Sequence, residues 1–415
     1  MFRLTSIFLL IFSILNCTIA QQRISKIVFV IADGIPADLI EKSTAPNFHR
    51  IVSKGLYKRA FVGGIKNAYN QTPTISAPGY NNLITGTWAN KHNVWDNNIK
   101  NPNYAYYTLF RFLKEQYPQK TTAVFSTWQD NRTKLIGEGL PATGGLKMDF
   151  TFDGYELDTL QFPHDKQAHY TYLIDQHVIA KADSTIRVAG PDLSWIYLQH
   201  TDDIGHRHGY SKEMDKAIEQ LDQQMGKIAD AIAYREKYYK EDWLFIITTD
   251  HGRDSATGKN HGGQSDGERT TWMIANKRNI NGYYKENIPA IVDLLPTMAR
   301  FQKINIPADH LYELDGVPIF GPVSISTPSI TTTDCINLNW KSYSLKDKLK
   351  IWVSYTNDFA KGGKDQYELL QEVASAKESV TIPIPSGKSF AKYVLEGKHN
   401  AVNIHWFAAQ PTKAK

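Results

Sequence analysis

The sequence predicts an α/β domain built on a largely parallel central sheet, followed by a small β-sandwich of fibronectin type III or immunoglobulin-like kind. Three observations carry this. Apolar, β-branched runs recur between residues 26 and 276 with helical patterns between them, and strands alternating with helices close into a parallel sheet covered on both faces. From 211 to 236, Met214, Ile218, Leu221, Met225, Ile228 and Ile232 return at three- and four-residue steps, which draws one apolar stripe along a helix. Beyond the Pro/Ser-rich stretch FGPVSISTPS the pattern changes to short β-type runs, KIWVSYT, SVTIPIP, KYVLEG and AVNIHWF, with one weak helical stripe over 365–376. The expected division is a signal peptide over 1–20, the α/β domain over 21–325, a linker over 326–332 and the β domain over 333–415.

The chain opens with one arginine, an apolar run from Ile7 to Leu15 and small residues from Thr18 to Ala20, the layout of a secretory signal too short to span a bilayer. This predicts export to a periplasm or the extracellular space. A lipid-modified Cys17 is the weaker alternative, because Asn16 is a poor residue before a lipobox cysteine. Cleavage after Ala20 would leave Cys335 as the one cysteine, so stability must come from the core rather than from a disulfide. A formal charge of +5 on 415 residues is modest and spread along the chain, which excludes nucleic-acid binding through a basic patch.

KIVFVIADG, the first apolar run, ends in Asp33-Gly34 and reads as a buried parallel strand with an acid at its carboxyl end. TTAVFST (121–127), LSWIYLQ (193–199), WLFIITTDHG (243–252) and TTWMIAN (270–276) follow. In such sheets ligands sit beyond the carboxyl ends of the strands, so Asp33 and Asp250 belong on one edge. Metal-type ligands concentrate at that edge: Asp33, Asp202 with His206 in HTDDIGHRHG, Asp250 with His251 in TTDHGRD, and His261 in KNHGG. Taken singly, each is a turn acid or a solvated histidine. Together, carboxylates and imidazoles in this number suit two zinc ions, with manganese as the alternative. Ser76, in TPTISAPGYNNLITG, is either a helix N-cap or a nucleophile whose pKa such ions would lower.

In their order along residues 26–320 these segments resemble the alkaline phosphatase superfamily, and most closely its nucleotide pyrophosphatase/phosphodiesterase branch. ADGIPADLI with TAPNFHRIVSKG resembles the opening segment whose aspartate binds metal, here Asp33. PTISAPGYNNLITG followed by HNVWDN resembles the nucleophile segment, which puts Ser76 on the nucleophile and Asn97 on the asparagine that holds a phosphate oxygen. The resemblance implies an alkaline phosphatase-like fold for 21–325, with Asp202 and His206 on one ion and Asp250, His251, Asp33 and the Ser76 oxygen on the other. Two departures stand out. The branch generally uses threonine as nucleophile and takes its last metal-binding histidine from far downstream, whereas here a histidine follows DHG closely, as in the sulfatase and phosphomutase branches. His261 is therefore assigned to the first ion, with His310 as the fallback.

The implied activity is hydrolysis of a small phosphodiester or pyrophosphate through a phosphoseryl intermediate. Phosphomonoester hydrolysis is the alternative, because Arg132, Lys134 and Arg253 lie near the motifs and could meet the extra charge of a monoester. A sulfatase needs arginine where Tyr80 stands, so conversion of Ser76 to formylglycine is not expected. A non-catalytic binding scaffold is the competing class, and the complete ligand set argues against it. Trp340, Trp352 and Trp406 would allow the terminal domain a surface or carbohydrate contact, against the plainer reading of core tryptophans.

Overall fold

The computed structural model describes residues 23–408; the segment expected to be a signal peptide, with Cys17, and the last seven residues lie outside them. Seven strands form the central sheet: β1 (Ile24–Ala32), β2 (Leu56–Phe61), β3 (Thr122–Ser126), β4 (Phe150–Phe152), β5 (Leu193–Leu198), β6 (Glu241–Thr248) and β7 (Thr270–Ala275). Their order is β2-β7-β6-β1-β5-β3-β4. β6, β1, β5, β3 and β4 run parallel, and β7 and β2 close one edge antiparallel.

β1 lies between β5 and β6 and is buried on both faces, which is why its sequence is an unbroken apolar run. Ile27, Phe29 and Ile31 enter one core; Val28, Val30 and Ala32 enter the other. Helices His169–Val188, Lys212–Tyr238 and Pro46–Lys54 cover the second core. The predicted stripe of the Lys212–Tyr238 helix is buried throughout. On the first core lie the helices Ser76–Thr85, Leu109–Gln116 and Leu294–Phe301. No helix among the described residues is long and apolar enough to cross a membrane.

The C-terminal part consists of two antiparallel sheets. One pairs β8 (Ile325–Thr332), β9 (Ile336–Ser342) and β12 (Ser379–Ile382); the other has the order β11-β10-β13-β14, with β10 (Lys348–Ser354), β11 (Glu368–Ala374), β13 (Phe390–Glu396) and β14 (Ala401–Phe407). Residues 326–332, expected as a linker, are therefore strand β8. Pro328 and the serines are tolerated because β8 is an edge strand with an irregular register between Ser326 and Ser329. The helical stripe over 365–376 is also corrected: most of it is β11, an edge strand exposed along most of its length. Trp340 and Trp406 are core residues, and half-buried Trp352 donates to Glu396 Oε2 at 2.7 Å.

The two parts are stapled by buried charge. Lys392 on β13 pairs with Glu313 and with Asp365, and Lys91 pairs with Asp315 at 2.6 Å while donating to Asn403 Oδ1 at 3.0 Å.

Candidate active site

β1 and β6 are parallel neighbours, Ile31 facing Thr248, so their chains leave the sheet side by side and deliver Asp33 and Asp250-His251 to one spot. Asp202 and His206 lie one turn apart on the helix His200–His208, which follows β5. His261 comes from the loop before β7. The structure brings these six residues together in two groups, Asp33, Asp250 and His251, and Asp202, His206 and His261. The rings of His251 and His261 stack between the groups with centroids 3.7 Å apart.

Tautomers follow from the hydrogen bonds. His251 Nδ1 lies 3.0 Å from the Gly252 carbonyl and His261 Nδ1 lies 2.9 Å from the Thr74 carbonyl. A carbonyl only accepts, so both Nδ1 atoms carry the hydrogen and both Nε2 atoms present a lone pair. His251 Nε2 sits 3.2 Å from Asp250 Oδ2 and 3.4 Å from Asp33 Oδ1, and none of these three buried atoms has a hydrogen-bond partner among the described residues. In the second group, His206 Nε2 is 3.0 Å from His261 Nε2 and 3.3 Å from Asp202 Oδ2. The edge of a tetrahedron around zinc with nitrogen and oxygen ligands is about 3.3–3.5 Å. Three buried donors with nothing to bind in the first group, and three that converge on one another in the second, fit a divalent cation in each at this spacing.

Electrostatics agree. Burial, then the charges of Asp250 and Asp202, push the Asp33 carboxyl well above its usual range, and burial pushes Asp250 up to about 7. Burial also opposes ionisation of Asp202, but the His206 hydrogen bond and the Arg253 charge outweigh it and hold that carboxyl low. Burial keeps His251 and His261 below the ordinary imidazole value, hence neutral and able to ligate; the bond to Asp202 raises His206.

Ser76 is the first residue of its helix, not the N-cap: Ile75 holds that position without a side-chain cap bond. The Ser76 hydroxyl makes no hydrogen bond among the described residues and lines a cavity of about 300 Å³ with Asp33, Asp202, Asn97, Tyr80 and Tyr197. Three links set this segment against the ligands. Thr74 accepts from His261 Nδ1–H and Gly262 N–H; Tyr80 donates to Asp33; Gly79 lies against Asp250, where a Cβ would stand 2.9 Å from both Cβ and the carbonyl oxygen of that residue. Asn97 Oδ1 accepts from the Ala77 amide at 3.0 Å, and its Nδ2 donates to no described residue.

The three candidate cations have other partners. Arg253, 1% exposed, donates to the Gly34 carbonyl at 2.8 Å, to the Lys259 carbonyl and to Asp202, and braces the ligand loops from behind. Arg132 is clamped between Asp153 and Glu138, and exposed Lys134 pairs with Asp130 at 2.7 Å. No lysine or arginine lines the cavity among the described residues. His310, the fallback ligand, packs on Tyr107, Phe112 and Phe359 instead.

Sequence reasoning missed Tyr197 and Thr74, and the wall formed by Glu156, His164 and Tyr170. A period-two count along β5 could have paired Tyr197 with the face of Trp195. Nothing in the loop after β4 signals its position.

A family model described as type I phosphodiesterase / nucleotide pyrophosphatase matches residues 27–266. Among solved structures, the chain is similar to human ectonucleotide pyrophosphatase / phosphodiesterase 5 (ENPP5, NPP5), with 15% identity over 68% of this chain and 96% of that one and a TM-score of 0.46. It is also similar to Ps i-CgsB in complex with k-i-k-neocarrahexaose, with 15% identity over 77% and 84% and a TM-score of 0.49. The phosphonate monoester hydrolase of Agrobacterium radiobacter shows 12% identity over 92% and 89%, with a TM-score of 0.47.

Proposed function

The chain belongs to the type I phosphodiesterase / nucleotide pyrophosphatase family, and from that premise we propose that this phosphoester hydrolase is exported, depends on two divalent cations, and cleaves phosphodiester or pyrophosphate bonds through a phosphoseryl intermediate. The observation that supports it is the convergence of unpartnered buried donors, Asp33 Oδ1, Asp250 Oδ2 and His251 Nε2, beside a serine hydroxyl that caps nothing. Export rests on the apolar N-terminal segment alone.

Asp33, Asp250 and His251 would hold one cation, and Asp202, His206 and His261 the other. When bound, the pair supplies Lewis acidity, lowering the pKa of the serine hydroxyl and offsetting the negative charge of the phosphate. The chain's own residues do the rest. Ser76 Oγ gives up its proton to water and attacks phosphorus from the cavity; the bond to the leaving oxygen breaks with its electron pair, and the leaving group departs as phosphate or, on taking a proton back from water, as the alcohol. The Asn97 amide, oriented by its bond to Ala77 N–H, donates to a non-bridging oxygen. The positive end of the Ser76–Thr85 helix faces the same charge. Water then attacks the phosphoseryl phosphorus, the bond from phosphorus to Ser76 Oγ breaks as a water proton returns to that oxygen, and two inversions give net retention.

Diesters are favoured over monoesters by the cavity wall. A monoester carries an extra negative charge that calls for a permanently cationic side chain, and the described wall has no lysine or arginine. The test is a zinc-loaded preparation assayed on bis-p-nitrophenyl phosphate, p-nitrophenyl phosphate and p-nitrophenyl sulfate, with metal content measured in parallel. The diester should be turned over fastest with two ions per chain, and Ser76→Ala should lower kcat by about a thousandfold or more. Turnover that survives Ser76→Ala would refute the phosphoserine; a faster monoester would refute the diester assignment.

A further inference from the structure

Asp33 is the one candidate ligand whose second carboxylate oxygen is taken up entirely by phenols. Tyr80 donates to Oδ2, Tyr197 donates to the same oxygen at 2.8 Å, and the two hydroxyls are 2.9 Å apart, all within the buried interior. Oδ1 of the same carboxylate is buried, has no hydrogen-bond partner, and faces His251 Nε2 at 3.4 Å. One carboxylate thus has a saturated oxygen and a bare one.

The phenols come from two different directions. Tyr197 stands near the end of β5, paired across the sheet with Ile31, two residues before Asp33. Tyr80 follows Ser76 by four residues on the same buried helix, so the two side chains leave the same helix face one turn apart. The Tyr80 hydroxyl bond therefore also sets how far the Ser76 helix lies from the end of β1.

We infer that Tyr80 and Tyr197 are positioning residues that commit Asp33 to a single coordinating oxygen, Oδ1, and that Tyr80 through the same bond registers the Ser76 hydroxyl against that ligand. The inference rests on the two-cation reading above. It differs from plain satisfaction of a buried acid, for which any donor to either oxygen would serve. Without the phenols Oδ2 is free to swing toward the cation, and the carboxylate becomes bidentate or shifts.

Tyr80→Phe and Tyr197→Phe remove only the hydroxyls. Tyr283→Phe is the comparison: its hydroxyl donates to buried Asp293 Oδ2 at 2.7 Å, outside the cavity. Zinc affinity is measured on the full chain by competition with a chromophoric chelator, and the coordination of the substituted ion by the visible spectrum of cobalt(II). Either Tyr80→Phe or Tyr197→Phe should weaken the binding of one of the two ions by about 10–100-fold, the usual effect of losing an outer-shell partner, and alter the cobalt bands. Tyr80→Phe should in addition lower kcat more than it changes KM. Tyr283→Phe should leave both affinities and the spectrum as in the wild type while lowering thermal stability. Wild-type affinities and cobalt bands in both active-site variants would overturn the inference and leave the two-cation reading standing. A wild-type chain that takes up no ion would remove that reading and this inference with it.

Discussion

Stripping divalent cations from the protein should lower its melting temperature by about 6–7 °C, and restoring zinc should return it. Each of the two groups gathers three donors that no other residue satisfies in the first case and that face one another in the second. At a free ion concentration one hundred times Kd, one site adds about 2.7 kcal/mol, so two sites add about 5 kcal/mol. A chain spanning 23–408 unfolds with an entropy of about 0.8 kcal/mol/K, which converts that energy into the stated shift. The sign of the pH dependence follows from the carboxyls. In the ion-free protein Asp250 is pushed up to about 7 by burial, so a cation must displace a proton there at or below neutral pH, and the zinc-induced shift should be larger at pH 8 than at pH 6. Differential scanning calorimetry of chelated and zinc-loaded protein, at both pH values and with metal content measured, is the assay. An identical melting temperature with and without zinc at pH 8 would refute the cation assignment, and a larger shift at pH 6 would refute the role given to Asp250.

Other consequences follow from single positions. Gly79→Ala puts a Cβ 2.9 Å from backbone and side-chain atoms of Asp250, so it should cost about 1–3 kcal/mol and lower kcat on a diester at least about tenfold as the Ser76 helix is pushed back; wild-type values in both would refute the close-approach argument. Lys392→Met leaves Glu313 and Asp365, both at most 2% exposed at the side chain, without their shared cation; about 3–5 kcal/mol should be lost, read in a denaturant titration, and limited proteolysis should show the terminal sheets loosened first. Asp293, which does not line the cavity, is pushed up to about 7 by burial, against the hydrogen bonds it accepts from Val317, Tyr283 and Ala290. Its folded pKa exceeds the unfolded value of about 4, so its contribution to stability is present below pH 4 and lost as pH rises towards 7. Asp293→Asn should flatten that slope, and an unchanged slope would assign it to another group.

Much of the catalytic part was legible in the chain because its central strands are buried on both faces. β1, β3, β5, β6 and β7 announce themselves as apolar runs, and the Lys212–Tyr238 helix shows its stripe without any knowledge of its neighbours. β2, LYKRAF, and the three-residue β4 escape that signal, since an edge strand needs little apolar sequence and β4 is barely a strand at all. β8 and β11 were misread for the same reason, one as a linker and the other as a helix.

At the site, residue type and order identified which acids and imidazoles could meet, because strand ends of a parallel sheet collect on one edge whatever the loops do. What only tertiary structure decided is how each donor is used. The sequence offered Arg253, Arg132 and Lys134 as cations for substrate, and long-range contacts took them away: Arg253 reaches the Gly34 carbonyl across 219 positions. The same kind of contact enlisted Tyr80 and Tyr197 around one oxygen of Asp33. Local chemistry and periodicity are properties of a few neighbouring residues and survive in the sequence. The partner of a buried charge depends on which distant segments the fold packs beside it, and that is fixed only when the chain closes.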